Sequence, residues 1–242
     1  MSRFLLDPKK HTNYAFNGCE TCDAKCCGST VIYASIFDLK EAAALFPILF
    51  YINEGKISPV YFFYYGESDQ EKCPHLKDNL CSVYENRPYA CRAYPFSFEK
   101  GKPCADDGCP KVGVQEEGGF RLFESKHTLN PRFVSNFVGE TFRKNKEDIF
   151  ASTGKLVDFC VKNNFLVSYS DFYKDKPLYM EFKPSLTGHL YLLHPQRIAV
   201  MRMQNKELFA GNEDILQSVM MIVASHKNIE TLHALKEENL KI

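Results

Sequence analysis

Nine of the ten cysteines of this chain fall between Cys19 and Cys109, and only Cys160 lies beyond them. The first group, CETCDAKCC, gives Cys19-x2-Cys22-x3-Cys26-Cys27. Four thiols so close together are costly unless something binds them. A two-residue gap lets a tight turn aim two sulfurs at one ion, the logic of zinc knuckles and cluster-binding loops. Adjacent cysteines are harder to place on one ion. In extended backbone they point to opposite sides, so Cys26 and Cys27 serve different sites or bridge two metals. The second group, CPHLKDNLCSVYENRPYACRAYPF, supplies Cys73, Cys81 and Cys91, and CADDGCP places Cys104 and Cys109 across an Asp-Gly turn. A tetrahedral site takes four ligands, so two such sites leave one of these nine thiols spare. His75 is a candidate ligand that we read as a surface or supporting residue.

The residues around the thiols suit that chemistry. Several thiolates on one centre carry excess negative charge, which neighbouring cations and N–H donors offset. Arg87 and Arg92 flank Cys91 in a Pro- and aromatic-rich stretch that suggests burial, and we assign both this supporting role. Lys25 and Lys72 each precede a cysteine and fit ordinary surface charge equally well. Pro88 and Pro95 stiffen the loop carrying Cys91. Tyr84, Tyr89, Tyr94, Phe96 and Phe98 are expected to shield the site from water, and Cys160, in VDFCVKNNF, to be a core residue.

These ordered cysteines, with Arg87-Pro88, Cys91-Arg92 and Tyr94-Pro95-Phe96, resemble the YkgJ-like or CxxCxxCC cysteine-cluster family over roughly residues 19–110. That family is described as zinc- or iron-chelating and includes the flagellin lysine N-methylases. The first group here is one residue longer than the family's name implies. The resemblance implies a metal-binding module, with the metal and the reaction left open. All-thiolate donors suit both zinc and iron–sulfur. The odd pool of thiols, with Cys73-Pro74 and Cys109-Pro110, tilts the reading toward an iron–sulfur cluster, of the [4Fe–4S] type, with zinc as the alternative. A radical S-adenosylmethionine enzyme is disfavoured, because its C-x3-C-x2-C order is reversed here. The alternative function that the resemblance implies is S-adenosylmethionine-dependent lysine N-methyl transfer requiring the metal centre. No GxG stands anywhere in the chain, so a Rossmann fingerprint and a P-loop are absent, as is the G-x-S-x-G of a hydrolase. No catalytic residue is assigned.

The rest of the chain must position these groups. Its 242 residues are 45% hydrophobic, enough for a real core, and 30 basic residues balance 30 acidic ones. Zero net charge without a basic stripe disfavours nucleic acid as partner. A protein or small-molecule partner is left unspecified. The opening MSRFLLDPKKHTNYAF does not read as a secretory signal. The most apolar run, 42–52, is about half of the ~20 residues a bilayer span needs. We therefore expect a cytoplasmic protein with reduced thiols and no membrane span.

The fold expected is α+β, with a small cysteine-rich, metal-stapled region of short strands at 1–125 and a mainly helical region at 126–242 packed against it. Residues 1–18 read as polar loop. Strands are expected at 29–34, 60–65 and 120–124. Ser35 and Asp38 form a capping box opening a helix over 36–46, which Pro47 ends. Asn130-Pro131 starts a helix, and His194-Pro195 starts another carrying Ile198, Met201 and Leu208. After Gly211, Asn212 and Asp214 open a last pair with Ile215, Val219, Ile222 and Val223 at helical spacing. Residues 227–242 read as an amphipathic terminal helix. Met180, Met201, Met203, Met220 and Met221 are expected as core filler, and His189, His194, His226 and His233 as solvated residues.

Overall fold

A computed structural model of the chain describes residues 3–10, 13–14, 24, 27, 32–34, 39–61, 73, 75–99, 102–110, 112, 120–125, 128–130, 140–173, 189–229 and 231. The strands run, in chain order, β1 (Arg3–Leu5), β2 (Asn13–Tyr14), β3 (Ile32–Tyr33), β4 (Ile48–Asn53), β5 (Lys56–Tyr61), β6 (Leu76–Lys77), β7 (Leu80–Cys81), β8 (Phe96–Glu99), β9 (Lys102–Asp106), β10 (Phe120–Arg121), β11 (Leu166–Ser168) and β12 (Leu190–Leu193). The helices are α1 (Leu39–Ala42), α2 (Tyr89–Ala93), α3 (Glu140–Lys162), α4 (Tyr169–Tyr173), α5 (Pro195–Gln204), α6 (Lys206–Ala210) and α7 (Glu213–Ser225). Antiparallel sheets beside helices make the fold α+β, as the sequence implied. Two compact units divide the chain, one of Met1–Thr30 with His75–Lys146 and one of Val31–Pro74 with Glu147–Ile242.

The first unit is built on the antiparallel order β1-β9-β8. Residues 1–18, read as loop, contribute its edge strand β1, where Phe4 faces Ala105. Side chains alternate across a strand. Ala105 and Phe96, directly opposite each other, therefore share one face and pack with Leu6, Leu122 and Phe123 in an apolar cluster. The strand expected at 120–124 is only β10, paired with β2, and Phe123 then bridges to Leu129. A hairpin of β6 and β7 turns through Asp78 and Asn79, both at positive φ, the geometry a two-residue type I′ turn requires.

The second unit holds a sheet of order β11-β12-β4-β5-β3, in which every neighbouring pair is antiparallel. The β4–β5 hairpin is closed by Glu54-Gly55, again with both φ positive. Ile48, Leu49 and Phe50 are all fully buried, so both faces of β4 are covered. Leu49, Val60, Leu190 and Leu192 pack with Tyr169, Tyr173 and Ile229. β5 begins at Lys56, ahead of the strand expected from 60, and residues 62–65 lie outside the described set. Of the strand expected over 29–34, residues 32–34 are described, and β3 takes in Ile32 and Tyr33 and stops short of Ala34. The capping box at Ser35 and Asp38 is likewise outside the described residues. Beyond it, α1 gives way to turns that run to Pro47.

Helix α3 buries Leu156, Phe159 and Cys160, the i, i+3, i+4 spacing of one face. It ends in a Schellman motif: Asn164 sits at φ 53, its N–H donates to the Val161 carbonyl and the Phe165 N–H donates to that of Cys160. The Phe159 and Phe165 rings close the motif edge to face at 5.9 Å. Cys160 is buried as expected, and burial pushes its thiol up to about 12. Of the start expected at Asn130-Pro131, Asn130 is described and its N–H donates to the Leu122 carbonyl at 3.0 Å, whereas residues 131–139 lie outside the described set.

His194 caps α5, accepting the Arg197 N–H on Nδ1 at 3.4 Å, with Pro195 at the first helical position. The helix expected to run on to Leu208 instead breaks at Asn205, whose Oδ1 caps α6 by accepting from Leu208 N. α7 buries Val219 and Ile222, and it packs on β4 and β12. At its C-terminal end the Ile48 N–H donates to Ser225 Oγ at 2.9 Å, His226 Nε2 bonds the Ile48 carbonyl at 3.1 Å and Asn228 Nδ2 donates to the Ala43 carbonyl at 2.9 Å.

His226 is therefore no solvated histidine, because a buried backbone carbonyl holds it. Burial is what sets its protonation: it lowers the imidazole to about 4, opposed by the bond to Ile48. Nor are all the methionines core. Met203 is 70% exposed and Met220 is 42% exposed. Met180, His233 and nearly all of 227–242 beyond Ile229 lie outside the described residues.

Candidate metal centre

Cys19, Cys22 and Cys26 lie outside the described residues. Between the last two, Ala24 is buried at φ 49, a left-handed conformation that L residues other than Asn and Asp seldom adopt. Its carbonyl accepts the N–H of Cys27 at 2.8 Å, a turn that leaves Cys27 half-buried. Cys73, Cys81, Cys91 and Cys109 are half-buried too, whereas Cys104 is 1% exposed.

Local hydrogen bonds set each of these positions. Cys81 ends β7 opposite Leu76, and the next residue closes the hairpin base: Ser82 N–H and Oγ–H both donate to the His75 carbonyl at 2.8 Å. His75 is itself buried. Arg87-Pro88 leads into α2, where Pro88 occupies the N-cap and Cys91 stands in the middle of the helix. The carbonyl of Pro88 accepts the N–H of Arg92, and that of Ala90 accepts the N–H of Tyr94.

The turn that carries Cys109 is tied to the segment that follows Cys91. The Asp106 N–H donates to the Pro95 carbonyl at 2.9 Å, extending the β8–β9 ladder. Asp106 then folds an Asx turn, its Oδ1 accepting the Gly108 N–H at 2.8 Å and its carbonyl the Cys109 N–H at 3.3 Å. A Cβ on residue 108 would stand 3.0 Å from Asp106 Oδ1 and 3.6 Å from Tyr94 Oη, so this turn is closed tightly enough to favour glycine. Tyr94, three residues past Cys91, thus lies over the turn that delivers Cys109.

The two arginines behave differently. Arg87 lies over the Tyr84 ring with Cζ 3.5 Å from its centroid, and its Nε donates to the Tyr84 carbonyl. Tyr84 is 41% exposed and serves as this platform. Arg92 has a buried Nε with no hydrogen-bond partner among the described residues. Phe96 joins the apolar cluster of the first unit. One neighbour was overlooked in the sequence: Ser97 Oγ lies 3.0 Å from Cys104 Sγ. The available signal was the place of Ser97 directly after Phe96 in a strand, because alternation turns its hydroxyl away from the face that Phe96 occupies. Among the described residues, no three His, Cys, Asp or Glu side chains gather around a common point.

Residues 18–110 match the family model described as "CxxCxxCC: Putative zinc- or iron-chelating domain". Over these residues the chain is thus similar to a zinc- or iron-chelating cysteine domain, set within an α+β chain. The match takes in under half of the chain, and it includes all nine clustered cysteines. No curated protein and no solved structure matches the chain. Among the described residues no helix is long and apolar enough to cross a membrane.

Proposed function

We propose that this protein holds an iron–sulfur cluster, of the [4Fe–4S] type, through thiolates drawn from Cys19, Cys22, Cys26, Cys27, Cys73, Cys81, Cys91, Cys104 and Cys109. The observation that carries metal binding is the family match over the segment containing all nine. The donor set fits such a group: thiolates are the preferred ligands of iron–sulfur clusters and of zinc alike. The buried Nε of Arg92, directly after Cys91, fits as well. Arg92 is half-buried, and a donor nitrogen shut away from water is costly unless an acceptor, best an anionic one, lies nearby. Several thiolates on one metal centre supply that charge. When bound, the cluster would supply one-electron chemistry or a structural staple. The chain's own residues orient the sulfurs, through the Asx turn at Asp106 and the Pro88-capped helix, and exclude water.

The test is metal analysis of protein purified without oxygen, with iron, sulfide and zinc measured per chain and a visible spectrum on the same sample. The expected result is brown protein with matched iron and sulfide. Colourless protein with stoichiometric zinc would replace the cluster by zinc in the same domain. Protein with neither metal, even after reconstitution, would overturn metal binding.

A further inference from the structure

We propose that Ser97 is a positioning residue of the metal centre, its hydroxyl donating to the Cys104 sulfur when that sulfur is a metal-bound thiolate. This rests on the reading of the clustered cysteines as ligands. Ser97 and Cys104 stand directly opposite each other on β8 and β9. Their neighbours Phe96 and Ala105 occupy the face that forms the apolar cluster. Ser97 and Cys104 therefore share the opposite face. A cysteine turned away from that core would be expected near water, yet Cys104 is 1% exposed.

On the other flank of Cys104 the residue across the ladder is Leu5, which offers its sulfur no polar atom. Next along the same face, Asp106 has Oδ1 engaged by Gly108 N–H. The hydroxyl 3.0 Å away is thus the polar group placed to meet the sulfur. A neutral thiol can give or accept a hydrogen bond, whereas a thiolate only accepts. Rotation of one hydroxyl lets Ser97 follow that change without moving the strand. Hydrogen bonds to ligating sulfur orient it and withdraw charge from it, which strengthens metal retention and raises the reduction potential of a cluster.

The experiment compares Ser97→Thr with Ser97→Val, two strand-compatible side chains of the same shape that differ in the hydroxyl. Ser97→Ala and Cys104→Ala accompany them in the full-length protein. Metal content is measured first, then the rate at which a chelator removes the metal, the thiolate-to-metal absorption bands and, for iron, the reduction potential. Ser97→Thr should match the wild type. Ser97→Val and Ser97→Ala should lose metal about tenfold to a hundredfold faster, with shifted bands and a lower potential.

If Thr and Val release metal at the wild-type rate while Cys104→Ala does not, Ser97 has no positioning role and the proposal fails. Wild-type metal content and release in Cys104→Ala would remove Cys104 from the ligand set, overturning the proposal while leaving the other cysteines as ligands. A wild-type protein without metal would overturn the underlying reading and this one with it.

Discussion

At the scale of single residues, the clip at the end of α7 is where charge and burial oppose each other most clearly. Ser225 is fully buried and bridges two backbone groups, accepting from Ile48 N and donating to the Ile222 carbonyl. Ser225→Ala would leave the Ile48 N–H buried without an acceptor, at a cost of about 1–3 kcal/mol, readable as a lowered denaturation midpoint. His226 beside it is held below its ordinary range, at about 4, chiefly by burial. Between that value and about 6.5 the unfolded chain takes up a proton that the folded protein refuses. Stability is therefore full above about pH 6.5 and declines as pH falls toward 4, by on the order of 3 kcal/mol if the whole shift is expressed. Urea unfolding of the wild type and His226→Gln across this range checks the sign, since carboxylates common to both cancel in the difference. Parallel pH dependences in the two proteins would show that His226 does not contribute.

At the scale of elements, legibility followed periodicity. α7 was readable because Ile215, Val219 and Ile222 recur at helical spacing, and α5 because His194-Pro195 is a cap with a proline at the first helical position. β12 was overlooked, since LYLL is a short continuous apolar run that periodicity cannot assign to strand or helix. The β4–β5 hairpin escaped for a related reason. Both faces of β4 are buried, so no alternation survives, and its turn reads Glu54-Gly55 in place of the more familiar Asn-Gly.

That turn yields a prediction. Glu54 sits at φ 48 without the local hydrogen bonding that makes asparagine tolerant there, so Glu54→Asn should stabilise the hairpin by a few tenths to about 1 kcal/mol. Gly55 is at φ 75 with open space where a Cβ would stand. Gly55→Ala should therefore cost only the backbone term, about 1 kcal/mol, with no clash added. Thermal melting of both variants tests the pair, and a more stable Gly55→Ala would contradict the assigned geometry. The cysteine segments were legible as chemistry, but their grouping was not. Spacing along the chain says nothing of which strands a ladder sets side by side, and it was the ladder that paired Ser97 with Cys104.

At the scale of the whole molecule, each unit has its own apolar cluster, but only the first carries most of the thiols. Metal removal should therefore act unevenly. Binding of a metal by several segments is coupled to their ordering. After chelation under reducing conditions, amides around α2 and the 106–109 turn should exchange with solvent much faster, while those of β4, β12 and α7 remain protected. Hydrogen exchange read by mass spectrometry distinguishes this from uniform loosening, which would mean that the metal supports the entire chain. Cys91→Ser should reproduce the local effect without chelator, since it removes one of the proposed ligands.

The order of strands in the five-stranded sheet has one more consequence, for how the protein comes to be made. β4 must wait for β12, whose Leu190 pairs with Tyr51. At ordinary rates of translation the ribosome needs roughly ten to thirty seconds to supply that partner. In that interval the hairpin of β4 and β5 emerges with an apolar edge unmet, while all nine clustered cysteines and the strands of the first unit's main sheet leave the exit tunnel well before β12. The nascent chain can thus close its cysteine-bearing sheet first, and it completes its larger sheet only once β12 has been made.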